Sequence, residues 1–576
     1  DINTVRGQET GYATLNPLNS GLSLSNGNLS FFISSRSDWQ VVTSTIHISS
    51  GKFYWELTCG TRNTTGSGNI AVGLRPSHLI GHLTTQELGY NDSSKSMLAD
   101  GKIRTGNTAS ASAYGIEYGT GDTVGIAFDA DNGTLTFYIN GVSQGTAFTG
   151  LTGSWAPTFG LYTGQTQIAT NSDFNVNFGQ KPFKFPPPDG FQTLNNANVR
   201  PTTVISRPDQ YVGVTTYSGT GTTAQSITGL NFGTNPDFVW IKERTSTGWH
   251  QLFDVVRGAN KPIASNSANS EYSKTELFES FDRNGFTVDY NGVDSSLVSN
   301  RSSNDYVAWC WKAGGNKNTF NVDDVGYASA AAAGLTGGDI TPSGASVGTK
   351  QGFSIVKFTG PGSAGFQSVP HGLSEKPKFI LCKDLDNARN WSVFHEDVIT
   401  ADNQVFYLNN NLAITTSDTN TWDVSAIDAT TFTPYFRDDY GASYNADNIA
   451  FLWHDVPGLQ KFGTYTGNGN ADGPFIELGF QASIVWIRRT DSDEQWYIND
   501  TERDTFNVTG SSLRAQTSAT EASVGQSNSA TWDILSNGFK LRDSGVGSNA
   551  SGGTYIYCAW AEAPSVDLFG GGANAR

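Results

Sequence analysis

The chain has 576 residues, too many for one core and enough for roughly four domains of about 150 residues each. Its 65 glycines, 12% aromatic content and 15% charged content exclude a disordered chain and fit many short strands joined by tight turns. The formal net charge of −17 excludes the basic footprint by which a protein displaces counterions from nucleic acid, and an anionic membrane surface would repel it.

Residues 1–198 read as a first all-β module. Gly51-Lys-Phe-Tyr-Trp-Glu-Leu57 and Asn69-Ile-Ala-Val-Gly-Leu74 predict strands. Tyr118 to Asp129 and Thr134 to Ile139 predict two more, bracketed by Asp131-Asn-Gly133 and Asn140-Gly141. Asn-Gly tolerates the positive φ of a type I′ hairpin, so this stretch is an antiparallel meander. The landmarks Gly51 to Glu56, Val72 to Leu74, Gly121 to Gly125, Phe137 to Gly141, Gly145 to Phe148, Asn177 to Gln180 and Pro187 to Phe191 occur in this order. Together they resemble the SPRY family, and Ala13 to Pro17 with Leu24 to Gly27 resemble the lead-in of its phage versions. The resemblance implies a bent β-sandwich without catalytic machinery that binds protein or glycan ligands through variable loops. Trp55, Phe128, Phe137 and Phe178 then belong to the core. The longest polar excursion, His78 to Tyr114, is the expected binding segment, with Tyr90 and Tyr114 as the ligand contacts.

Residues 199–566 contain three related stretches, 199–315, 350–457 and 458–566. Each opens on an aromatic-(Ser/Thr)-Gly-x-Gly strand end: Tyr217 to Gly221, Phe358 to Gly362 and Tyr465 to Gly469. Each continues with an apolar strand ending in a cation: Phe238 to Lys242, Phe379 to Lys383 and Ile484 to Arg488. Each closes on an aromatic strand: Tyr306 to Trp311, Asn448 to Trp453 and Tyr555 to Trp560. The continuous apolar runs predict strands buried on both faces. Trp240, Leu381 and Trp486 should be equivalent, as should Trp249, Trp391 and Trp496, which read as core anchors rather than sugar platforms. Residues 316–349 read as a small-residue linker or strap, and 567–576 as a flexible tail. The units resemble an uncharacterised repeat found beside SPRY domains in phage structural proteins. The expected class is thus all-β: a SPRY-like bent sandwich plus three tandem sandwich-like repeat domains, with four separable cores and very little helix.

Signatures of chemistry are missing from the sequence. Cys59, Cys310, Cys382 and Cys558 are isolated and read as buried thiols, compatible with assembly in a reducing compartment. The seven histidines, His47, His78, His82, His250, His371, His395 and His454, form no zinc signature on a credible helix. No nucleophile elbow, phosphate loop or paired-carboxylate strand appears. Asp129-x-Asp131-x-Gly133 reads as a hairpin turn rather than a Ca²⁺ loop. No apolar run reaches the roughly 18 residues of a membrane-spanning helix. Catalytic residues, metal ligands and cofactors are therefore expected to be none. The expected function is a non-enzymatic phage virion structural protein, a tail fibre, head fibre or decoration protein, assembled in the host cytoplasm. Its expected partners are other virion proteins and a host-surface glycan or protein, with no nucleic acid and no membrane insertion. A homotrimer would suit a fibre, although no heptad segment specifies one. A glycan depolymerase with carboxylates drawn from loops is one alternative. A secreted bacterial adhesin or lectin, which a leader segment would mark, is the other.

Overall fold

Strand and turn signals alternate every few residues along the chain, and the backbone follows them. The computed structural model describes residues 2–3, 8–9, 11–33, 39–62, 69–79, 87–90, 93–104, 106, 110–162, 172–195, 198–199, 204–205, 207–274, 276–290, 296–437, 441–523, 526 and 529–564. Among them every regular element is a strand except three single 3₁₀ turns, Ser77–Leu79, Pro208–Gln210 and Val424–Ala426. The chain is all-β, as expected. It forms two compact units, Asp1–Thr202 and Thr203–Arg576.

The first unit is a sandwich of a seven-stranded and an eight-stranded sheet around one core. Alternation decides which side chains enter that core. Phe53, Trp55 and Leu57 point inward from Lys52–Thr58, and Val124, Ile126 and Phe128 from Thr123–Asp129. Ile70, Val72 and Leu74 meet them from Ile70–Pro76 in the opposite sheet. The expected hairpin is present: Ile139 pairs with Val142 across Asn140 and Gly141, whose φ values of 50° and 82° suit a two-residue turn. A Cβ on Gly141 would lie 2.6 Å from the Phe185 ring. Glu56, the lone acid of its strand, is buried and accepts the backbone amides of Lys184 and Phe185 at 2.8 and 3.0 Å. The motif acid is therefore a clip for the later Pro-rich segment.

In the second unit one strand order recurs. Val212–Ser218, Asp305–Trp311, Phe238–Glu243 and Gln251–Asp254 lie side by side in that order. So do Phe353–Thr359, Asp447–Trp453, Phe379–Asp384 and Ser392–His395. So do Gln460–Thr466, Thr554–Pro564, Phe480–Arg489 and Trp496–Asp500. The central strands are buried on both faces. Phe238 and Trp240 enter a core shared by all three sheets, while Val239 and Ile241 enter a core private to the first. Ile484 and Trp486 enter the shared core, and Val485 and Ile487 a core private to the third.

Three tryptophans at one equivalent register position meet in the shared core. Trp311, Trp453 and Trp560 pair with Phe238, Phe379 and Ile484. Their rings lie 5.3–6.4 Å apart in pairs, at 67–71°. This edge-to-face geometry sets a positive ring edge against a negative face, which suits three indole N–H groups with no hydrogen-bond partner. The second unit therefore does not divide into three separable cores, and the expectation of four independent domains is corrected. In the first and third repeats a small three-stranded sheet covers the Val239 and Val485 faces, so the opposite, aromatic faces are left to be buried against one another and the middle sheet. Of the two readings of residues 316–349, a linker or a strap, the packing fits the strap. Phe320–Val322, Val325–Tyr327 and Gly344–Gly348 extend the middle sheet, and Ala330 and Leu335 are buried in the shared core. Residues 567–576 lie outside the described residues.

Candidate binding site on the first unit

The seven-stranded sheet of the first unit runs in the order Ser112–Ala113, Lys102–Arg104, Lys95–Leu98, Ile70–Pro76, Trp155–Tyr162, Trp39–Ser44, Leu15–Ser20. Register aligns the ends of five of these strands. Trp39 pairs with Tyr162, Leu161 with Ile70, Ala71 with Leu98, and Met97 with Ile103. On the face turned away from the core they leave a shallow concavity of about 300 Å³ lined by Trp39, Asn69, Glu87, Leu98, Asp100, Lys102, Arg104, Ala111 and Tyr162. Trp39 and Tyr162 are half-buried, with ring centroids 5.7 Å apart and planes inclined by 53°. Ala71, Leu88 and Leu98 form a small apolar floor against which Trp39 and Ala111 pack.

The polar groups are held by one another. Arg104 binds Glu87 with two parallel bonds, Nε to Oε1 at 2.7 Å and Nη2 to Oε2 at 3.0 Å. This bidentate pairing fixes both planes. Lys102 Nζ lies 2.6 Å from Asp100 Oδ2. Asn69 Oδ1 accepts from Arg62 Nε at 3.0 Å, which orients its amide. Gly101 makes the turn between these charges: its φ is 79°, and a Cβ there would fall 2.3 Å from Gly115 O. The turn needs both left-handed backbone and empty space, so glycine alone fits. Two anions and two cations cancel across the site, leaving a neutral, polar-rimmed cleft with an aromatic wall.

The two contacts expected from sequence fare differently. Tyr90 is 37% exposed and stands beside the concavity, its ring centroid 5.2 Å from the Arg104 guanidinium carbon. Tyr114 is spent on packing. Its hydroxyl donates to Gly145 O, its ring meets Phe137 edge-on at 6.1 Å, and burial pushes its phenol pKa up. The structure does not place it in the cleft. The His78 side chain and residues 80–86, 91–92, 105 and 107–109 of the expected binding segment lie outside the described residues. Trp39, Tyr162, Glu87, Arg104, Asp100 and Lys102 carry no local motif and are brought together by strand register. The Asp129–Gly133 stretch is a turn with its carboxylates in use: Asp129 pairs with Lys52 at 2.9 Å, and Asp131 accepts from Gly51 N at 2.6 Å. Among the described residues no group of three or more acidic, His or Cys side chains could hold a metal ion.

In the second unit His250 and the repeated tryptophans are held by structure. Trp240 Nε1 donates to His250 Nδ1 at 2.8 Å, so the ring proton sits on Nε2, which donates to Arg514 O at 3.1 Å. Trp391 and Trp496 are fully buried, as expected of core anchors. Trp249 is only partly buried, against Tyr272. Counting back from Leu252, Val393 and Ile498, which face Trp240, Leu381 and Trp486, His250 rather than Trp249 shares the place of Trp391 and Trp496.

Residues 207–564 match the family described as Domain of unknown function (DUF7483). The chain belongs to the DUF7483 family. Ahead of the DUF7483 region, residues 52–178 match the SPRY domain family. The chain is 36% identical over 116 residues to the E3 ubiquitin-protein ligase RKP of Arabidopsis thaliana, covering 20% of this chain and 9% of that protein. It is 28% identical over 185 residues to the ATP-dependent RNA helicase DDX1 of Xenopus laevis, covering 32% of this chain and 23% of that protein. The DUF7483 chain thus spans less than a quarter of either curated relative. Solved structures similar to it include the SPRY domain of human HERC1, at 14% identity and TM-score 0.24, covering 29% of this chain and 99% of that one. A human SPRY domain follows at 19% identity and TM-score 0.22, covering 28% and 96%.

Proposed function

We propose that this chain is a non-enzymatic structural protein of a phage particle, in which three copies of one β unit form a rigid ring joined to a SPRY domain that binds the host surface or a neighbouring particle protein. The ring's closed set of contacts carries this reading. Within residues 203–576, His250 of the first repeat donates to Arg514 O of the third repeat, Trp391 of the second to Ala264 O of the first, and Trp496 of the third to Tyr407 O of the second, at 2.9–3.1 Å. The acceptors are themselves equivalent, each following the residue that pairs with Leu252, Val393 or Ile498. A second cycle runs through backbone: Glu271 N to Leu385 O, Ile414 N to Thr490 O and Glu521 N to Arg244 O, at 2.8–2.9 Å. Two cycles of equivalent contacts over one tryptophan core are what duplication of a single unit would leave. They make a stiff body whose aromatic surface is spent on cohesion, as a particle component requires. Four free buried thiols agree with assembly in a reducing compartment.

The test is on purified particles. Gold-labelled antibody against residues 203–576 should decorate one site per particle repeat, and the isolated chain should compete with particles for host cells. A chain lacking residues 1–202 should keep its place on the particle and lose the competition. Label found only in the soluble lysate, or new reducing ends released from host polysaccharide by the pure chain, would overturn the reading.

A further inference from the structure

We propose that the concavity of the first unit is a glycan site that takes a neutral oligosaccharide lying across the strand ends, with Trp39 and Tyr162 as the stacking wall. The inference rests on the binding role proposed above and names the ligand class. Three observations decide among ligand chemistries. The charges of Glu87, Asp100, Lys102 and Arg104 cancel and are already paired, two of them bidentately. An anionic or cationic ligand would have to break one of these pairs to find a partner, and so would gain little. The carboxylates of Glu87 and Asp100 keep further lone pairs at fixed angles, which hydroxyls, being both donor and acceptor, can satisfy without disturbing the pairs.

The apolar part of the site is a wall and not a pit. Among the described residues its floor is Ala71, Leu88 and Leu98, too small to seat a large apolar side chain. Trp39 and Tyr162 stand half-buried at one end, with ring faces inclined by 53°. An aromatic face is negative and attracts the C–H groups that cover the flat side of a sugar ring. The site is also long and shallow. It crosses five strands, a span of about 19 Å at the usual spacing between neighbours. A peptide in extended form would seek a sheet edge and its free backbone groups, but this surface is the face of the sheet. A flat, two-faced, hydroxyl-rich chain fits an aromatic wall followed by a row of fixed polar groups.

The intact chain is incubated with an array of neutral hexose and N-acetylhexosamine oligosaccharides, printed beside sialylated and sulfated glycans. Retention of at least one neutral oligosaccharide is expected. Trp39→Ala should weaken it by about tenfold, the loss of one ring contact, and Trp39→Phe should restore most of the binding. Because Trp39 also packs on the floor, Lys102→Ala provides an independent variant. Its side chain is 49% exposed, and its loss should weaken binding severalfold without moving the thermal midpoint. Retention of anionic glycans alone, retention of none, or full binding by both Trp39→Ala and Lys102→Ala overturns the glycan assignment. Any of these results leaves the particle labelling and competition free to succeed, so failure of the ligand class is separable from failure of the proposed role.

Discussion

Two buried ion pairs show how much single residues carry. Asp254 and Arg257 are fully enclosed at 2.5 Å, and Asp500 and Arg503 at 2.6 Å. Each guanidinium also donates to two carbonyls, of Lys261 and Leu252 in one case and of Ser511 and Ile498 in the other. Arg503→Ala should therefore cost about 3–5 kcal/mol by denaturant titration, because it strands a buried carboxylate. The pair stands two residues past Leu252 and Ile498, and the middle unit has His395 there instead. Asp-x-x-Arg at the end of the fourth strand was legible at 254–257 and 500–503 as a repeated pattern, but its meaning was not, since exposed and buried pairs read alike. Trp560→Ala should cost about 3–5 kcal/mol, the usual loss for a buried tryptophan. Combined with Trp311→Ala it should depart from additivity, since their rings are 5.3 Å apart.

Among elements, the fourth strand of each sheet joins neighbouring units. Trp391 follows the turn after the apolar strand and sends its indole N–H 2.9 Å to Ala264 O. Trp391→Phe keeps most of the ring and removes the donor. It should cost about 1–3 kcal/mol, the penalty for an orphaned buried acceptor, and should speed amide exchange in both Ile263–Ala264 and Ser392–His395. Equal protection in mutant and parent would show that the indole bond does not join the units. Buried cations brace the same region. Lys383 Nζ donates 2.6 Å to Asp384 O, and burial pushes its amine down to about 8. Lys242, its counterpart, is pushed down to about 7. The strand-ending cation was visible in sequence as a repeated feature. That it points inward to hold a loop follows only from burial of both strand faces.

For the whole second unit, pH should act through histidines. Desolvation holds His395 down to about 3 and His371 to about 4, and holds His250 well below its ordinary value. An unfolded histidine titrates near 6.5, so below that pH the unfolded chain binds more protons and stability falls. Asp237 and Asp455, raised by burial to about 6, act oppositely between their unfolded value and 6. The thermal midpoint should therefore fall as pH drops below 6.5, with the two aspartates offsetting part of the histidine effect around and below 6. His395→Gln should flatten that slope; an unchanged slope in that variant would exclude His395 as a source. With one shared core, residues 203–576 should unfold in one transition, and a chain ending at 457 should bind a hydrophobic dye because Trp311 and Trp453 lose Trp560. The sequence by itself determined the strand class, the SPRY motifs, the hairpin turns and the recurring strand set, because two-residue periodicity and turn chemistry are local. Tertiary structure alone decided that three sheets share one core, that 316–349 adds strands to the middle sheet, that His250 replaces Trp249 in register, and that Trp39 meets Tyr162 and the Arg104 cluster. Those outcomes depend on which strand ends come to lie together, and strand pairing joins residues too far apart in the chain for any local pattern to record.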